Sequence, residues 1–207
     1  MKADRETRER LMASGKKEFL EKGFMKASLR KICADAGVTT GAVYFFFKDK
    51  DDLFGAIAEP PLRELKGILE DHFSADVGAI SREHSIDGLN AHELVDHDEF
   101  VMRLVHQVYS NYDAFLLLLT KSQGSKYENC ANDVVETTEQ FYLALSEKIG
   151  THYGAAVNRY MLHWLTHMIV DSFIHLITHE CDEEKAALYM IRIMNFILGG
   201  WQKAVFE

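Results

Sequence analysis

Proline and cysteine are both scarce in this sequence. Only two prolines occur in 207 residues, adjacent at Pro60 and Pro61, so long helices are permitted almost everywhere else. The three cysteines, Cys33, Cys130 and Cys181, are odd in number and far apart, which argues against a disulfide framework and against a paired Cys-x-x-Cys zinc site. We therefore expect a reducing, cytoplasmic environment.

Long apolar runs are missing as well. The longest extend over about five residues, such as 115–119, whereas a helix that spans a bilayer needs roughly 20. The first residues are charged and lack the apolar stretch of a secretory signal. The sequence therefore predicts a cytoplasmic protein with no membrane partner.

Charge is distributed unevenly around a formal net value of −9. Residues 1–55 hold 12 Lys and Arg against 9 Asp and Glu, whereas the remainder holds 11 against 23. All 10 histidines follow residue 71. A mildly basic end joined to a strongly acidic body indicates two functions on one chain.

Helical signals follow one another closely in the first quarter of the chain. Apolar residues at helical spacing predict a first helix over about 4–22, ended by Gly23. Ser28 can cap a second helix that stops at Gly37, and Thr39 can cap a third. A fourth helix can start after Asp49. We expect Pro60 and Pro61 to break or kink this fourth helix, because neither residue can donate to the helical ladder.

The rest of the sequence also has helical periodicity. Residues 74–97 are polar and predict a loop with a short helix. Four long helical patterns follow, at about 98–121, 127–149, 154–180 and 183–206. No segment alternates as a strand does, so the fold class is all-α with about nine helices. We place an N-terminal domain of three helices at 1–55 and a larger helical bundle at 56–207.

The second and third helices form a candidate helix-turn-helix over residues 28–47. They are joined by a Gly-Val-Thr turn, and in this motif the second helix enters the DNA major groove. The small, polar start of that helix can approach bases and phosphates closely. Candidate contacts on and after the helix are Thr39, Thr40, Gly41, Tyr44, Lys48 and Lys50.

These residues resemble a known family. The run Phe19-Leu-Glu-Lys-Gly-Phe24, and the pattern Gly-Val-x-x-Gly-x-x-Tyr-x-x-Phe-Lys-x-Lys from Gly37 to Lys50, are similar to the DNA-binding domain of the tetracycline-repressor (TetR/AcrR) family over about residues 5–65. The resemblance implies DNA contacts by six residues: Ser28, Thr39, Thr40, Gly41, Tyr44 and Lys50.

The sequence departs from the family pattern at one aromatic position. Phe46 stands where the family often has His or Tyr, and Phe45 precedes it. Phenylalanine cannot hydrogen-bond a base edge, but it can pack on a thymine methyl group. We include both residues among the DNA contacts. The base preference of the family cannot be carried over at Phe46.

The resemblance also implies a C-terminal domain that dimerises and binds a small-molecule effector. By this analogy the homodimer forms through the last two helices, at about 154–180 and 183–206. The body is rich in aromatic residues and methionine, which predicts an apolar pocket for a hydrophobic effector, although for any one of these residues a place in the ordinary core is the better interpretation. The candidate pocket residues are Phe100, Tyr109, Tyr112, Phe115, Phe141, Trp164, His167 and Met168.

A stripe of histidines offers an alternative function. His163, His167, Asp171, His175 and His179 recur every fourth residue, which places neighbours about 40° apart on a helix, so an adjacent pair could share a metal ion. The stripe winds too far for all five to meet one ion. A metal-binding sensor is therefore the second hypothesis.

No catalytic or cofactor-binding signature is visible in the sequence. It contains neither a nucleophile elbow nor a P-loop nor a glycine-rich dinucleotide fingerprint. We assign no catalytic residue, no metal ligand and no cofactor. The leading hypothesis is a homodimeric transcriptional repressor that a small hydrophobic effector releases from a pseudo-palindromic double-stranded DNA operator.

Overall fold

The computed structural model describes residues 2–82, 97–180 and 182–206, and these residues form nine α-helices. The helices are α1 (Lys2–Lys26), α2 (Leu29–Asp35), α3 (Thr40–Phe46), α4 (Lys50–Arg82), α5 (His97–Ser110), α6 (Tyr112–Thr120), α7 (Cys130–Tyr153), α8 (Arg159–His179) and α9 (Glu183–Val205). Strand geometry in the described part is limited to an isolated bridge between Val157 and Phe206. The predicted all-α class is confirmed.

The chain divides into two compact units. Unit 1 comprises Met1–Glu64 and Asn111–Ala131, and unit 2 comprises Leu65–Ser110 and Asn132–Glu207. The chain therefore leaves unit 1 within α4, and returns to it for α6 and the loop that follows. The sequence-based domains, 1–55 and 56–207, stay a prediction. No helix in the described ranges is both long and apolar enough to cross a membrane.

Glycine conformations and a serine cap shape the first two helices of unit 1, whereas Thr39 precedes α3 without a capping hydrogen bond from its side chain. Gly23 has a φ of 73°, a left-handed conformation that glycine adopts without steric cost, and the chain then continues helically to Lys26. The Ser28 side chain accepts a hydrogen bond from the main-chain N–H of Lys31 and caps α2. Gly37, with a φ of 68°, follows the end of α2. The predicted stop at Gly37 and the serine cap are confirmed, whereas Gly23 kinks α1 and the helix continues to Lys26 instead of ending at residue 22.

Aromatic rings form the centre of the unit 1 core. Phe19 lies 5.9 Å from Phe24 and 5.1 Å from Phe54, measured between ring centroids. Phe24 and Phe54 meet edge to face at 5.5 Å. Edge-to-face contacts of this kind stabilise a core beyond the area that they bury. The three rings join the C-terminal part of α1 to the start of α4.

Pro60 and Pro61 were expected to break or kink the fourth helix, and the expected break is wrong. Both residues lie inside α4, which runs from Lys50 to Arg82. Each proline removes one donor from the ladder, but buried side chains continue at helical spacing on either side of the pair. These are Phe54, Ala58, Leu62, Leu65, Leu69 and Phe73. Burial of this continuous face offsets the missing hydrogen bonds.

Two further boundaries differ from the sequence prediction. The helix expected at 98–121 is divided at Asn111, whose φ and ψ of −126° and 33° are not helical. Its carbonyl accepts from the N–H groups of Ala114 and Phe115, which starts α6. The loop expected at 74–97 is helical up to Arg82, and the predictions for 83–96 lie outside the described residues.

Unit 2 has its own aromatic cluster. Phe73 stacks on Phe141 at 4.7 Å and meets Tyr142 edge to face at 5.2 Å. Tyr142 in turn contacts Trp201 at 4.8 Å, which joins α7 to α9. The ring of His72 stacks on Phe100 at 3.6 Å. The cluster therefore ties the described parts of α4, α5, α7 and α9 into one core.

Candidate nucleic-acid interface

Helices α2 and α3 are seven residues each and enclose a tight turn. The N–H of Val38 in the turn donates to the carbonyl of Cys33 at 2.9 Å. Ile32 and Cys33 are buried on α2. Val43 on the inner side of α3, and Phe47 directly after that helix, are buried as well. Because one side of α3 is fixed in the core, its opposite side faces outward.

The outer side of α3 carries the residues singled out in the sequence. Thr39, Thr40 and Gly41 are exposed, and the side chains of Tyr44 and Phe45 are 58% and 77% exposed. Phe46 is half-buried and meets Phe45 edge to face at 4.9 Å. Large aromatic side chains held in solvent are typical of a binding surface.

Ser28 is held at the start of α2 by a buried carboxylate. Its main-chain N–H donates to Glu18 Oε1 at 3.2 Å, and its hydroxyl oxygen accepts from the Lys31 N–H at 3.4 Å. Glu18 is only 7% exposed. Sequence reasoning missed Glu18, although a glutamate between the apolar positions Gly15 and Phe19 was a visible signal.

The two lysines that follow α3 differ in their surroundings. Lys48 is exposed, and its main-chain N–H donates to Asp52 Oδ2 at 2.9 Å. Lys50 is half-buried.

Lys50 Nζ donates to the carbonyls of Phe24, Met25 and Ala27 at 2.7, 3.3 and 3.4 Å. It also lies 4.5 Å from the centroid of the Phe24 ring. Lys50 therefore joins the end of α1 to the start of α4. Its contact with DNA stays a prediction.

Residues 111–131 add a second layer to unit 1 that the sequence did not reveal. The Phe24 N–H donates to the Lys121 carbonyl at 2.8 Å, and the Lys126 N–H donates to Asp51 Oδ1 at 2.8 Å. The Tyr127 hydroxyl donates to Glu59 Oε2 at 2.8 Å. Burial, and then the bond to this carboxylate, raise the pKa of Tyr127, so the hydroxyl stays protonated as a donor at neutral pH.

The candidate effector residues are distributed over both units. Tyr112 and Phe115 belong to unit 1, whereas the other six belong to unit 2. Within unit 2, Phe100 and Phe141 both contact Phe73. The pocket stays a prediction.

The other candidates in unit 2 lie in different surroundings. The Tyr109 hydroxyl donates to the Glu180 carbonyl. Trp164 is 53% exposed, and His167 and Met168 are half-buried. A void of about 10 Å³ beside Tyr109 is far too small for an organic effector.

The histidine stripe forms pairs in the described structure. His163 Nδ1 lies 2.7 Å from Glu139 Oε2, and its ring is 4.6 Å from that of His167. His175 and His179 stack at 4.1 Å. Within the described ranges, no group of three or more His, Cys, Asp or Glu side chains is placed to hold a metal ion. The geometry gives no support to the metal-sensor alternative.

Comparisons with known proteins agree with this geometry. Residues 11–57 match the family model described as bacterial regulatory proteins, tetR family. The HTH-type transcriptional repressor BepR of Brucella suis is 46% identical over 52 residues, 25% of each chain. The HTH-type transcriptional regulator AcrR of Shigella flexneri is 32% identical over 103 residues, 48% of each chain. The chain thus spans between a quarter and about half of the length of these relatives.

The fold extends the similarity beyond the matched segment. The crystal structure of NalD, the secondary repressor of the MexAB-OprM multidrug efflux pump in Pseudomonas aeruginosa, superposes with a TM-score of 0.59. The alignment covers 100% of this chain and 99% of NalD at 17% identity, a level that shows shared fold alone. The family model thus assigns residues 11–57, which include the helix-turn-helix, to the tetR family of bacterial regulatory proteins, and the described chain shares the all-α fold of NalD.

Proposed function

We propose that this chain is a homodimeric, ligand-responsive repressor of transcription that binds a pseudo-palindromic DNA operator. Its family consists of transcriptional regulators, not enzymes. The observation that carries the proposal is the division of α3 into two sides. Val43 and Phe47 anchor the helix in the core, while Thr40, Tyr44 and Phe45 are presented to solvent.

The exposed side of α3 suits the major groove. The Thr40 and Tyr44 hydroxyls can hydrogen-bond base edges, and Phe45 can pack on a thymine methyl group. Gly41 allows close approach, since the position of its missing Cβ lies in open space apart from the nearby Thr39 hydroxyl at 3.9 Å. Ser28 and Lys48 then bind phosphate oxygens, which position the helix without reading sequence.

An exposed apolar face on α8 and α9 supports the homodimer. Five large apolar or aromatic side chains of these helices are at least two-fifths exposed: Tyr160, Trp164, Leu188, Tyr189 and Phe196. The side chain of Phe196 is the most exposed of these five, at 79%. Side chains of this kind are enriched in the centre of protein interfaces. An isologous contact through this face places one recognition helix on each side of a two-fold axis, which explains a palindromic operator.

Regulation by a small hydrophobic molecule is the second part of the proposal. BepR is named as a repressor, and NalD as a repressor of a multidrug efflux pump. The aromatic core of unit 2, around Phe73, Phe141 and Trp201, is the chemical environment that an apolar effector prefers. Binding there would release the operator by changing the separation of the two recognition helices.

Selection of fragments from a random double-stranded DNA pool tests the proposal. The purified protein, at near-physiological salt, is expected to recover a motif with two-fold symmetry and half-sites about one helical turn or slightly more apart. The same selection is repeated after unfolding, removal of bound small molecules and refolding. A folded protein that recovers no motif in either preparation would contradict the proposed function.

A further inference from the structure

Two arginines of α1 flank the recognition helix. Arg10 Nη1 lies 3.7 Å from the position that a Cβ would take on Gly37, the first residue of the turn before α3. The Arg8 guanidinium lies 5.2 Å from the centroid of the Phe47 ring, directly after α3. Both arginines are exposed. One cation therefore stands beside each end of α3.

Three other cations on the same helix have acidic partners. Lys16 pairs with Asp113 at 2.8 Å, and Lys22 pairs with Glu21 at 2.6 Å. Arg5 lies 3.6 Å from Glu9. Ion pairing of this kind leaves less charge to attract another anion.

Arg8 and Arg10 differ, since no carboxylate in the described part of the chain forms an ion pair with either one. Arg8 donates to Met12 Sδ at 3.2 Å, and Arg10 donates to Thr7 Oγ1 at 3.3 Å. A guanidinium carries five N–H donors, so most donors of both groups are left for another acceptor. The ring contact of Arg8 and the hydroxyl contact of Arg10 also order the two side chains, which lowers the entropy lost on binding.

From this arrangement we propose that Arg8 and Arg10 bind phosphate oxygens of the DNA backbone on either side of the groove that α3 enters. The inference rests on the proposed function and extends the DNA-binding surface from α2 and α3 to α1. Guanidinium groups fit phosphate with two parallel hydrogen bonds. The contacts set the position of the domain on DNA and carry no base preference.

The salt dependence of affinity tests the inference, because each phosphate contact releases counterions. Binding to the selected duplex is measured between about 50 and 200 mM salt for the wild type, Arg8→Gln and Arg10→Gln. Each substitution is expected to make the slope of log K against log salt shallower by about 0.9. Lys203→Gln on α9 removes the same charge outside unit 1 and is expected to leave the slope unchanged.

Two controls keep the outcomes distinct. Arg8→Lys preserves a cation near Phe47 and is expected to keep the wild-type slope. This variant therefore separates the effect of lost charge from that of lost packing. Thermal melting confirms that each variant folds. Wild-type slopes for both glutamine variants would overturn the inference while leaving the proposed function intact. Failure of the wild type itself to bind any duplex would overturn the proposed function, and this inference with it.

Discussion

Replacing Lys50 by methionine is expected to lower the free energy of unfolding of unit 1 by about 2 kcal/mol, the usual contribution of hydrogen bonds from a charged group. The Lys50 ammonium donates to the carbonyls of Phe24, Met25 and Ala27. The Phe24 and Met25 carbonyls lie in the last turn of α1 and the Ala27 carbonyl directly follows it, where few helical N–H donors remain; the Phe24 carbonyl also accepts from the Ala27 N–H at 3.3 Å. Methionine keeps the length and apolar stem of lysine but supplies no donor, so the three carbonyls lose this partner.

The measurement is chemical denaturation of Lys50→Met beside the wild type and Lys48→Met. Lys48 is exposed, and the hydrogen bond that it makes to Asp52 comes from its main-chain N–H. Its substitution is therefore expected to change the unfolding free energy by less than about 0.5 kcal/mol. Equal stability of Lys50→Met and Lys48→Met would contradict the capping role of Lys50. The salt slope of DNA binding by Lys50→Met reports separately on its predicted phosphate contact.

Replacing Gly55 by alanine is expected to destabilise unit 1 by about 1 kcal/mol, the cost of overpacking less the gain in helix propensity. A Cβ at Gly55 would lie 2.5 Å from the Tyr127 hydroxyl and 3.3 Å from two carbons of its ring. The new methyl group must displace the tyrosine, which breaks its bond to Glu59 and its packing on Phe54. Overpacking typically costs 1–3 kcal/mol, which outweighs the gain of about 1 kcal/mol from alanine in a helix.

A double-mutant cycle with Tyr127→Phe isolates the contact. Removing the hydroxyl leaves ring carbons at 3.3 Å as the nearest atoms, so Gly55→Ala is expected to cost at least about 1 kcal/mol less in the Tyr127→Phe background. Denaturation of the wild type, both single variants and the double variant gives this coupling energy. The same cost for Gly55→Ala in both backgrounds would show that the tyrosine hydroxyl does not restrict residue 55.

The Gly55 and Tyr127 variants examine how the segment 111–131 is held in unit 1. Its hydrogen bonds reach α1 through Lys121 and α4 through Lys126 and Tyr127. Lys16 on α1 pairs with Asp113 on α6. A change of conformation in α6 or in its following loop therefore acts directly on the two helices that support α2 and α3.

Local features of the fold were predictable because their causes are local. Gly23 kinks α1 and Gly37 follows the end of α2, both in backbone conformations that other residues rarely adopt. Ser28 caps α2 through a hydroxyl three residues from its donor. The helical period likewise separates buried Val43 from exposed Tyr44 on α3. The candidate DNA-binding surface follows from these short-range relations together with the family resemblance.

Other features depend on contacts between distant parts of the sequence. No local pattern shows that Lys50 reaches carbonyls more than 20 residues earlier, or that Tyr127 bonds to Glu59. The continuity of α4 through Pro60 and Pro61 is also a balance between local cost and burial along the whole helix. The periodicity of the sequence indicates the apolar face of α4, but it does not compare the cost of the missing hydrogen bonds with the free energy gained by burial.

Fragment selection with the double variant Tyr44→Ala/Phe45→Ala tests the central claim most directly, since both side chains are exposed on α3 and their removal leaves the core intact. Thermal melting first establishes that the variant folds as the wild type does. If α3 reads DNA, the variant will recover half-sites with wild-type spacing but will lose the base preference at one or more symmetric positions. Recovery of the wild-type motif, with every base preference and the affinity unchanged, would contradict the account.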